Sequence, residues 1–316
     1  MQRPLSSLPL VVIAGPTATG KTAIGVELAH RYNGELIGAD SIQVYTGFDI
    51  GSAKPTSEEL RGIPHHLLDV TTADKPLDAV DYAHLADTAI SDVIQRGKLP
   101  IVVGGTGLWI RALLRGLIVT PKIYPHVRAR LEQKTASLDA EALHATLHEV
   151  DPLAAQHIHP NDRVRIIRAL EVYEQTGVPL GQLRKTHALG EPRYDSLNLV
   201  LDLDRPTLYA RIRQRTKDML SRGWVQECQQ LLARYGSHAR PLTSVGYRQL
   251  IEHLSMNQPL DITERHIAKA TQVYTRRQRT WFRGEPGFAW WTSAQTLLEK
   301  EACQKIDAYL RHRGML

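Results

Sequence analysis

Residues Leu8 to Thr22 read LPLVVIAGPTATGKT, and the fold follows from how they are read. Leu8 to Ala14 is a short apolar run that stops at a glycine, the pattern of a buried strand. Gly15 to Thr22 has the spacing G-x-x-x-x-G-K-T, in which backbone N–H groups wrap around phosphate oxygens. Gly15 and Gly20 allow the tight turn, with Pro16, Thr17, Ala18 and Thr19 between them. The N-terminus of the helix that follows favours anionic charge. In such a loop Lys21 reaches the terminal phosphate and the Thr22 hydroxyl ligates Mg²⁺. Because the motif lies between an apolar strand and a helix, phosphate binding is the expectation.

The pattern continues outward. Ala23 to Tyr32 has helical spacing, with Ile24, Leu28 and Ala29 on one side, and ELIGADS reads as a second strand ending at Asp40. Ala79 to Gln95 puts Ala79, Ala83, Ala86, Ile90, Val93 and Ile94 on one helical face. LPIVVGGTG follows as a third buried strand running into a glycine turn. Strands alternating with helices predict an α/β fold, a P-loop-type doubly wound parallel sheet. Ligands of such sheets sit beyond the carboxyl ends of the strands, which brings Thr17 to Thr22, Asp40 and Thr106 to one crevice. From about Pro121 the style changes. Tyr124 to Lys134, Asp139 to Val150, Asp162 to Gly177 and Leu180 to His187 are helical pieces with no strand between them. Sheet character returns at Leu197 to Leu203, and helices are expected from Thr207 to the end. The predicted organisation is a catalytic core at 1–120 and 197–316 with an all-helical insertion at 121–196.

Composition excludes several classes. The chain has 316 residues, 42% hydrophobic and 23% charged, which is ordinary for a soluble globular protein. No run approaches the roughly 18 to 20 apolar residues of a membrane span. Leu8 to Ala14 runs straight into the glycine loop instead of a signal-peptide cleavage site. Cys228 and Cys303 lie far apart without metal spacing. A cytoplasmic, monomeric enzyme is the expectation. A net charge of +6 attracts polyanions, although many basic proteins bind none. Its distribution says more: Arg205 to Arg222 carries six basic residues against Asp218 alone, and Arg265 to Arg283 carries six and no acidic residue. Tyr274, Trp281 and Phe282 are interleaved with the second cluster, which points toward nucleic acid.

Several candidates admit two readings from the residues alone. Asp40 ends a strand, where aspartate serves either as a turn carboxylate or as a general base facing the crevice. Gly104 and Gly105 either allow a sharp turn with Thr106 capping the next helix or let the backbone approach a ligand closely, and the local sequence favours the cap. LVLDLDR resembles a metal-binding Walker B strand, with Asp202 and Asp204 as ligands, but its alternation also fits a strand with one wetter face, and the structural reading is favoured. Among the basic helices, an arginine beside a phosphate loop stabilises leaving-group charge. Arg215 is the candidate, although spacing does not separate it from Arg211 or Arg213.

In this order GPTATGKT, ADSIQVY, GGTGLW, NDRVRIIRALEV, TSVGYRQL and RRQRTWFR resemble the motifs of bacterial tRNA dimethylallyltransferases. The resemblance runs from about Leu10 to Arg283. Thr19 stands where the family often has serine and Trp109 where it often has tyrosine. The last thirty or so residues match nothing distinctive. The resemblance implies that Gly15 to Thr22 and Arg215 hold the diphosphate of dimethylallyl diphosphate, with Mg²⁺ on Thr22. The implied acceptor is the N6 amine of the adenosine immediately 3′ of the anticodon. Asp40 would take the amine's proton, Lys21 and Arg215 would absorb leaving-group charge, and Thr106 would lie beside the reacting centre. It further places Asp40, Ser41, Ile42, Gln43, Thr106, Arg128, Val164, Arg165, Ile166, Ile167, Arg168 and Thr243, Ser244, Val245, Gly246, Tyr247, Arg248 on the tRNA anticodon stem-loop. Two other functions share parts of this list: an ATP-dependent small-molecule or nucleotide kinase, and a non-catalytic RNA-binding switch.

Overall fold

The computed structural model describes residues 8–118, 120–187, 191–292 and 300–314. These form two compact units. One runs to Leu114 and resumes at Pro192, and the other is Arg115–Glu191.

The first unit is built on β1 (Pro9–Ala14), β2 (Gly34–Ala39), β3 (His65–His66), β4 (Leu99–Gly104), β5 (Asp195–Leu201) and β6 (Phe288–Trp291). They make one six-stranded sheet in the order β3-β2-β4-β1-β5-β6, parallel at every pairing. Every residue of β1, β2 and β4 is buried, as a strand covered on both faces requires. Val11, Ile13, Ile101, Val103, Leu199 and Leu201 pack with α1 (Lys21–Arg31) and with Ile306 and Leu310 of the C-terminal helix (Lys300–Arg311). The alternate residues Leu10, Val12, Ile37, Val102 and Val200 are equally buried on the opposite face. There α3 (Ala79–Gln95) lies against β2 and β4, its N-terminus held by an Asp78–Asp81 capping box. The connection leaving β1 runs toward β2, whereas the one leaving β4 runs to β5 on the far side of β1. This switch opens a crevice at the carboxyl ends of β1 and β4.

Two strands escape the sequence reading. β3 is two histidines long, too short for any period to register. β6 lies in the stretch expected to be helical, and its residues FAWW are only partly buried at the sheet edge. Residues 293–299 and 315–316 of that stretch lie outside the described residues. The remaining helices of this unit are α2 (Ser57–Leu60), α4 (Gly107–Arg115), α10 (Arg205–Ser221), α11 (Trp224–Tyr235), α12 (Tyr247–Met256), α13 (Leu260–Arg283) and α14, the C-terminal helix, with a 3₁₀ turn at Arg240–Thr243.

The second unit contains α5 (Pro125–Thr135), α6 (Ala140–Val150), α7 (Pro152–Ala155), α8 (Arg163–Thr176) and α9 (Leu180–His187). Their core includes Val127, Leu131, Leu143, Leu147, Ile166 and Leu170. Asp139 and Asp162 cap α6 and α8 through the N–H groups of Ala142 (2.8 Å) and Arg165 (3.2 Å). Fully buried Asp151 accepts from Ala154 N and from Gly181 N, and so joins α7 to α9. At the boundary with the sheet unit, Arg193 N donates to the Leu114 carbonyl at 2.8 Å, and the Arg193 guanidinium donates to the Leu113 carbonyl and to Asp87.

Gly15 shows how tightly the loop is set into the sheet. Its φ is +140°, and a Cβ there would lie 2.1 Å from the Leu201 carbonyl oxygen of β5. Gly15→Ala is therefore expected to lose about 3 kcal/mol of stability from strain and backbone displacement. Gly62→Ala, where φ is +81° but nothing lies within 4 Å, should lose only about 1 kcal/mol. Urea unfolding of the two variants checks the difference.

Candidate active site

The phosphate loop is an inward-folded nest. Gly15, Ala18 and Gly20 have φ of +140°, +65° and +93°, and such turns direct successive N–H groups to one point. Ala18 is the costly member, because a residue with a Cβ disfavours this region. The Pro16 carbonyl takes the Thr19 hydroxyl at 2.9 Å and the Lys21 ammonium at 2.6 Å. Behind the loop, Thr17 N donates to Oε1 of Gln278 at 3.0 Å, and Nε2 of Gln278 donates to the Gly105 carbonyl at 2.9 Å. One buried amide thus joins the turn after β1 to the turn after β4. A Cβ at Gly105 would sit 2.4 Å from Gln278 Nε2, so a side chain there would push this amide from its place.

Asp40 follows β2. Its Oδ1 accepts from Ile42 N (2.9 Å) and Gln43 N (3.3 Å), while Oδ2 has no hydrogen bond among the described residues. One oxygen therefore shapes the turn and leaves the other for chemistry, so the two readings of this residue are compatible. The Thr106 hydroxyl does not cap its own helix. It accepts from Ser41 N at 3.1 Å, and Thr106 N donates to the Ala39 carbonyl, so β4's turn braces β2's. Gln43 Nε2 donates to the carbonyls of Ser52 and Ala53, which leaves its Oε1 as the acceptor available to a ligand.

Two cavities meet here. The first, of about 650 Å³, is lined by Gly20, Lys21, Thr22, Gln43, Gly105 and His65, among others. The second, of about 380 Å³, is lined by Ser41, Ile42, Thr243, Ser244, Val245, Arg248, Tyr274 and Arg277. Thr17, Ala18, Asp40, Arg215 and Met219 line both. Arg215 of α10 is therefore the arginine at the junction. Arg211 reaches only the Thr19 carbonyl, at 3.5 Å, and exposed Arg213 lines neither cavity. Burial, then the neighbouring Arg215 cation, push the Lys21 ammonium down to about 7, with Asp40 opposing them. Burial also lowers the Arg215 guanidinium, against the fields of Asp40 and Glu59. Burial thus works against both cations, and Asp40 is the carboxylate that lines both cavities beside them.

The Walker B reading of Asp202 and Asp204 finds no support. Asp202 Oδ1 accepts from Arg279 at 2.9 and 2.8 Å, and Asp204 caps α10 through Thr207 N at 2.9 Å. No cluster of three or more His, Cys, Asp or Glu suited to a metal occurs among the described residues. Thr22 lines the first cavity and its Oγ1 makes no hydrogen bond among the described residues, which fits a cation held by one protein oxygen and by the phosphates it accompanies.

Other candidates lie elsewhere. Gly246 and Tyr247 are buried beside Trp224, and the Tyr247 hydroxyl donates to Glu227 at 2.6 Å. In the helical unit, Val164 is 80% exposed, whereas Ile166 is in the core and Ile167 packs against it. Arg128 pairs with Glu171 at 2.7 Å. Arg168 donates to Thr120 at 2.8 Å, and Arg165 is 63% exposed at its side chain beside Asp162.

Sequence reasoning missed three residues. Gln278 sits inside a basic helix and reads as surface; its signal is the uncharged stripe Ile267, Thr271, Tyr274, Gln278. Glu227 accepts from the N–H groups of Asp49, Ile50 and Gly51 at 2.9, 2.6 and 3.0 Å, fastening the segment after Asp40 to α11. His65 lines the first cavity with both ring nitrogens buried and unpartnered, and burial pushes its pKa down to about 4.

The IPP transferase family model matches residues 43–285. The chain is 47% identical to tRNA dimethylallyltransferase 1 of Trichlorobacter lovleyi, over 89% of this chain and 92% of the relative. It is 43% identical to the tRNA dimethylallyltransferase of Symbiobacterium thermophilum, over 97% and 96%. The full-length tRNA isopentenylpyrophosphate transferase of Bacillus halodurans superposes with a TM-score of 0.71 at 34% identity, covering 97% and 98% of the two chains. A eukaryotic dimethylallyltransferase solved acting on tRNA gives a TM-score of 0.77 at 28% identity, covering 94% and 77%. No helix among the described residues is long and apolar enough to cross a membrane.

The depressed Lys21 pKa gives a sign. With its ammonium near 7 in the free protein, lysine is largely neutral at pH 8, and an anion in the loop favours the charged form. Binding of inorganic diphosphate at pH 8 should therefore draw a proton onto Lys21. Calorimetry in buffers of different ionisation enthalpy should show greater proton uptake by the wild type than by Lys21→Met, and affinity that falls as pH rises above 7.

Proposed function

The chain belongs to the IPP transferase family and is an enzyme of tRNA prenylation, and on that premise we propose how its crevice performs the transfer. The first cavity takes the diphosphate of dimethylallyl diphosphate on Gly15 to Thr22. The second takes the adenosine immediately 3′ of the anticodon, turned out of its stack. The observation that carries this reading is the junction: Asp40 and Arg215 line both cavities, so leaving group and nucleophile approach one point from two sides.

The exocyclic N6 amine is a weak nucleophile because its lone pair is delocalised into the ring. Oδ2 of Asp40 takes its proton as the N6–C1 bond forms, and Oδ1 keeps the turn in place. The C1–O bond breaks with allylic cation character, and the electron pair leaves with the diphosphate. Lys21, Arg215 and the loop N–H groups hold the charge that grows there. The residue that would hold Mg²⁺ is Thr22, and the ion supplies further charge neutralisation on the diphosphate when bound. Arg128, Val164, Arg165, Arg168, Thr243, Ser244, Val245 and Arg248 are proposed as contacts to the anticodon stem-loop, whereas buried Ile166, Gly246 and Tyr247 support these segments from beneath.

Asp40→Asn retains an acceptor for Ile42 N and Gln43 N but takes no proton at neutral pH. It is expected to fold, to bind both substrates and to transfer about a hundred- to ten-thousand-fold more slowly. Single-turnover transfer at saturating substrates, with thermal melting as the folding control, measures this. A rate near wild type returns Asp40 to the turn alone.

The helical unit is tested by salt. Exposed Arg165, changed to Ala, should weaken tRNA binding and lower the slope of log affinity against log salt by about one, while donor affinity is unchanged. Arg168, tied to Thr120, serves as the comparison, since its loss also removes a contact within the unit.

A further inference from the structure

The second cavity contains a phenol to which the mechanism above gives no task. Tyr274 stands on α13 four residues before Gln278, on the helix face that carries the amide holding the phosphate loop. It lines the cavity with Asp40, Arg215 and Arg248, and its hydroxyl makes no hydrogen bond among the described residues. Burial, together with the negative charge of Asp40, pushes its pKa up, so the phenol keeps its proton and stays a donor.

Other tyrosines of the fold spend their hydroxyls on a partner: Tyr194 on Asp87, Tyr247 on Glu227, Tyr309 on the Leu10 carbonyl. Tyr82 and Tyr235 lack partners but line neither cavity. Tyr274 is only partly buried where it lines the cavity beside Asp40, and a ligand that displaces water there has to supply its hydroxyl with an acceptor.

We infer that Tyr274 is a specificity residue for the acceptor base, its hydroxyl donating a hydrogen bond to a ring nitrogen that flanks the exocyclic amine of adenine. This rests on the reading of the second cavity as the acceptor site. N1 and N7 lie on either side of the amine-bearing carbon, and both are bare acceptors. A donor on either one fixes the amine toward Asp40. It also withdraws electron density from the ring, so N6–H becomes more acidic as Asp40 takes its proton.

The test uses single-turnover dimethylallyl transfer to anticodon stem-loops with adenosine, 1-deazaadenosine or 7-deazaadenosine at the acceptor position, for wild type and Tyr274→Phe. Loss of the hydroxyl should slow transfer to adenosine about five- to tenfold, the size of one neutral hydrogen bond. The variant should also lose the penalty that wild type shows against one analogue, and which analogue it is tells N1 from N7. If Tyr274→Phe keeps the full penalty against both analogues, or wild type shows none, the assignment is overturned. The wild-type arm needs no variant, so a misfolded Tyr274→Phe leaves that outcome decisive. Failure of wild type to modify adenosine at all would instead reject the acceptor reading itself.

Discussion

The carboxamide of Gln278 is the interaction on which the crevice depends. A phosphate loop works only if its N–H groups are held against the entropy of a glycine-rich turn, and one of these N–H groups, that of Thr17, is already taken from behind by Gln278. The same amide donates to the Gly105 carbonyl, so neither turn moves without the other. The chain that follows Gly105 carries Thr106, whose hydroxyl holds the backbone after Asp40. Loop, base and the floor between them therefore form one hydrogen-bonded series running β1, α13, β4, β2. Each member is a short polar contact in a low-dielectric setting, where geometry is well determined and misplacement is costly.

Electrostatics complete what the hydrogen bonds begin. The site sets Lys21 beside the Arg215 guanidinium before any ligand arrives, and the lowered lysine pKa registers the cost of charging both. An anionic ligand relieves it, and the relief is larger for the charge that develops on a departing diphosphate than for the bound ester. Elsewhere the protein satisfies buried charge locally: Glu35 is surrounded by Arg96, His66 and Lys98, which hold it near 2 despite its burial. The contrast separates a carboxylate stabilised by its partners from a lysine and an arginine whose charges are disfavoured by burial.

Much of this was legible in the sequence because it is local. LPLVVIA followed by GPTATGKT is a strand, a nest and a helix start within fifteen residues, and the doubly wound sheet follows from three such repeats of strand and helix. Lys21, Asp40 and Arg215 were likewise reachable, the last only by choosing among three arginines that the cavity lining later separated. What stayed hidden is long-range. Gln278 and Glu227 act on backbone more than 170 residues away; the uncharged stripe that carries Gln278 marks a buried helix face but does not say which turns it holds. His65 sits in a two-residue strand that exists only because β2 pairs with it. Thr106 had the sequence of a helix cap, and its hydroxyl instead went to a neighbouring strand's turn.

The hydrogen bond from Arg193 N to the Leu114 carbonyl closes the sheet unit at the point where the helical insertion departs and returns. For the sheet, everything between those residues is a closed loop whose ends already touch. The entropic cost of closing a loop grows only with the logarithm of its length, so the sheet is almost indifferent to how much chain is stored there. Residues 115–191 can therefore lengthen, shorten or change composition over generations at little thermodynamic consequence for the crevice. The part of the molecule that carries its own core is free to drift at a different rate from the part that performs the chemistry.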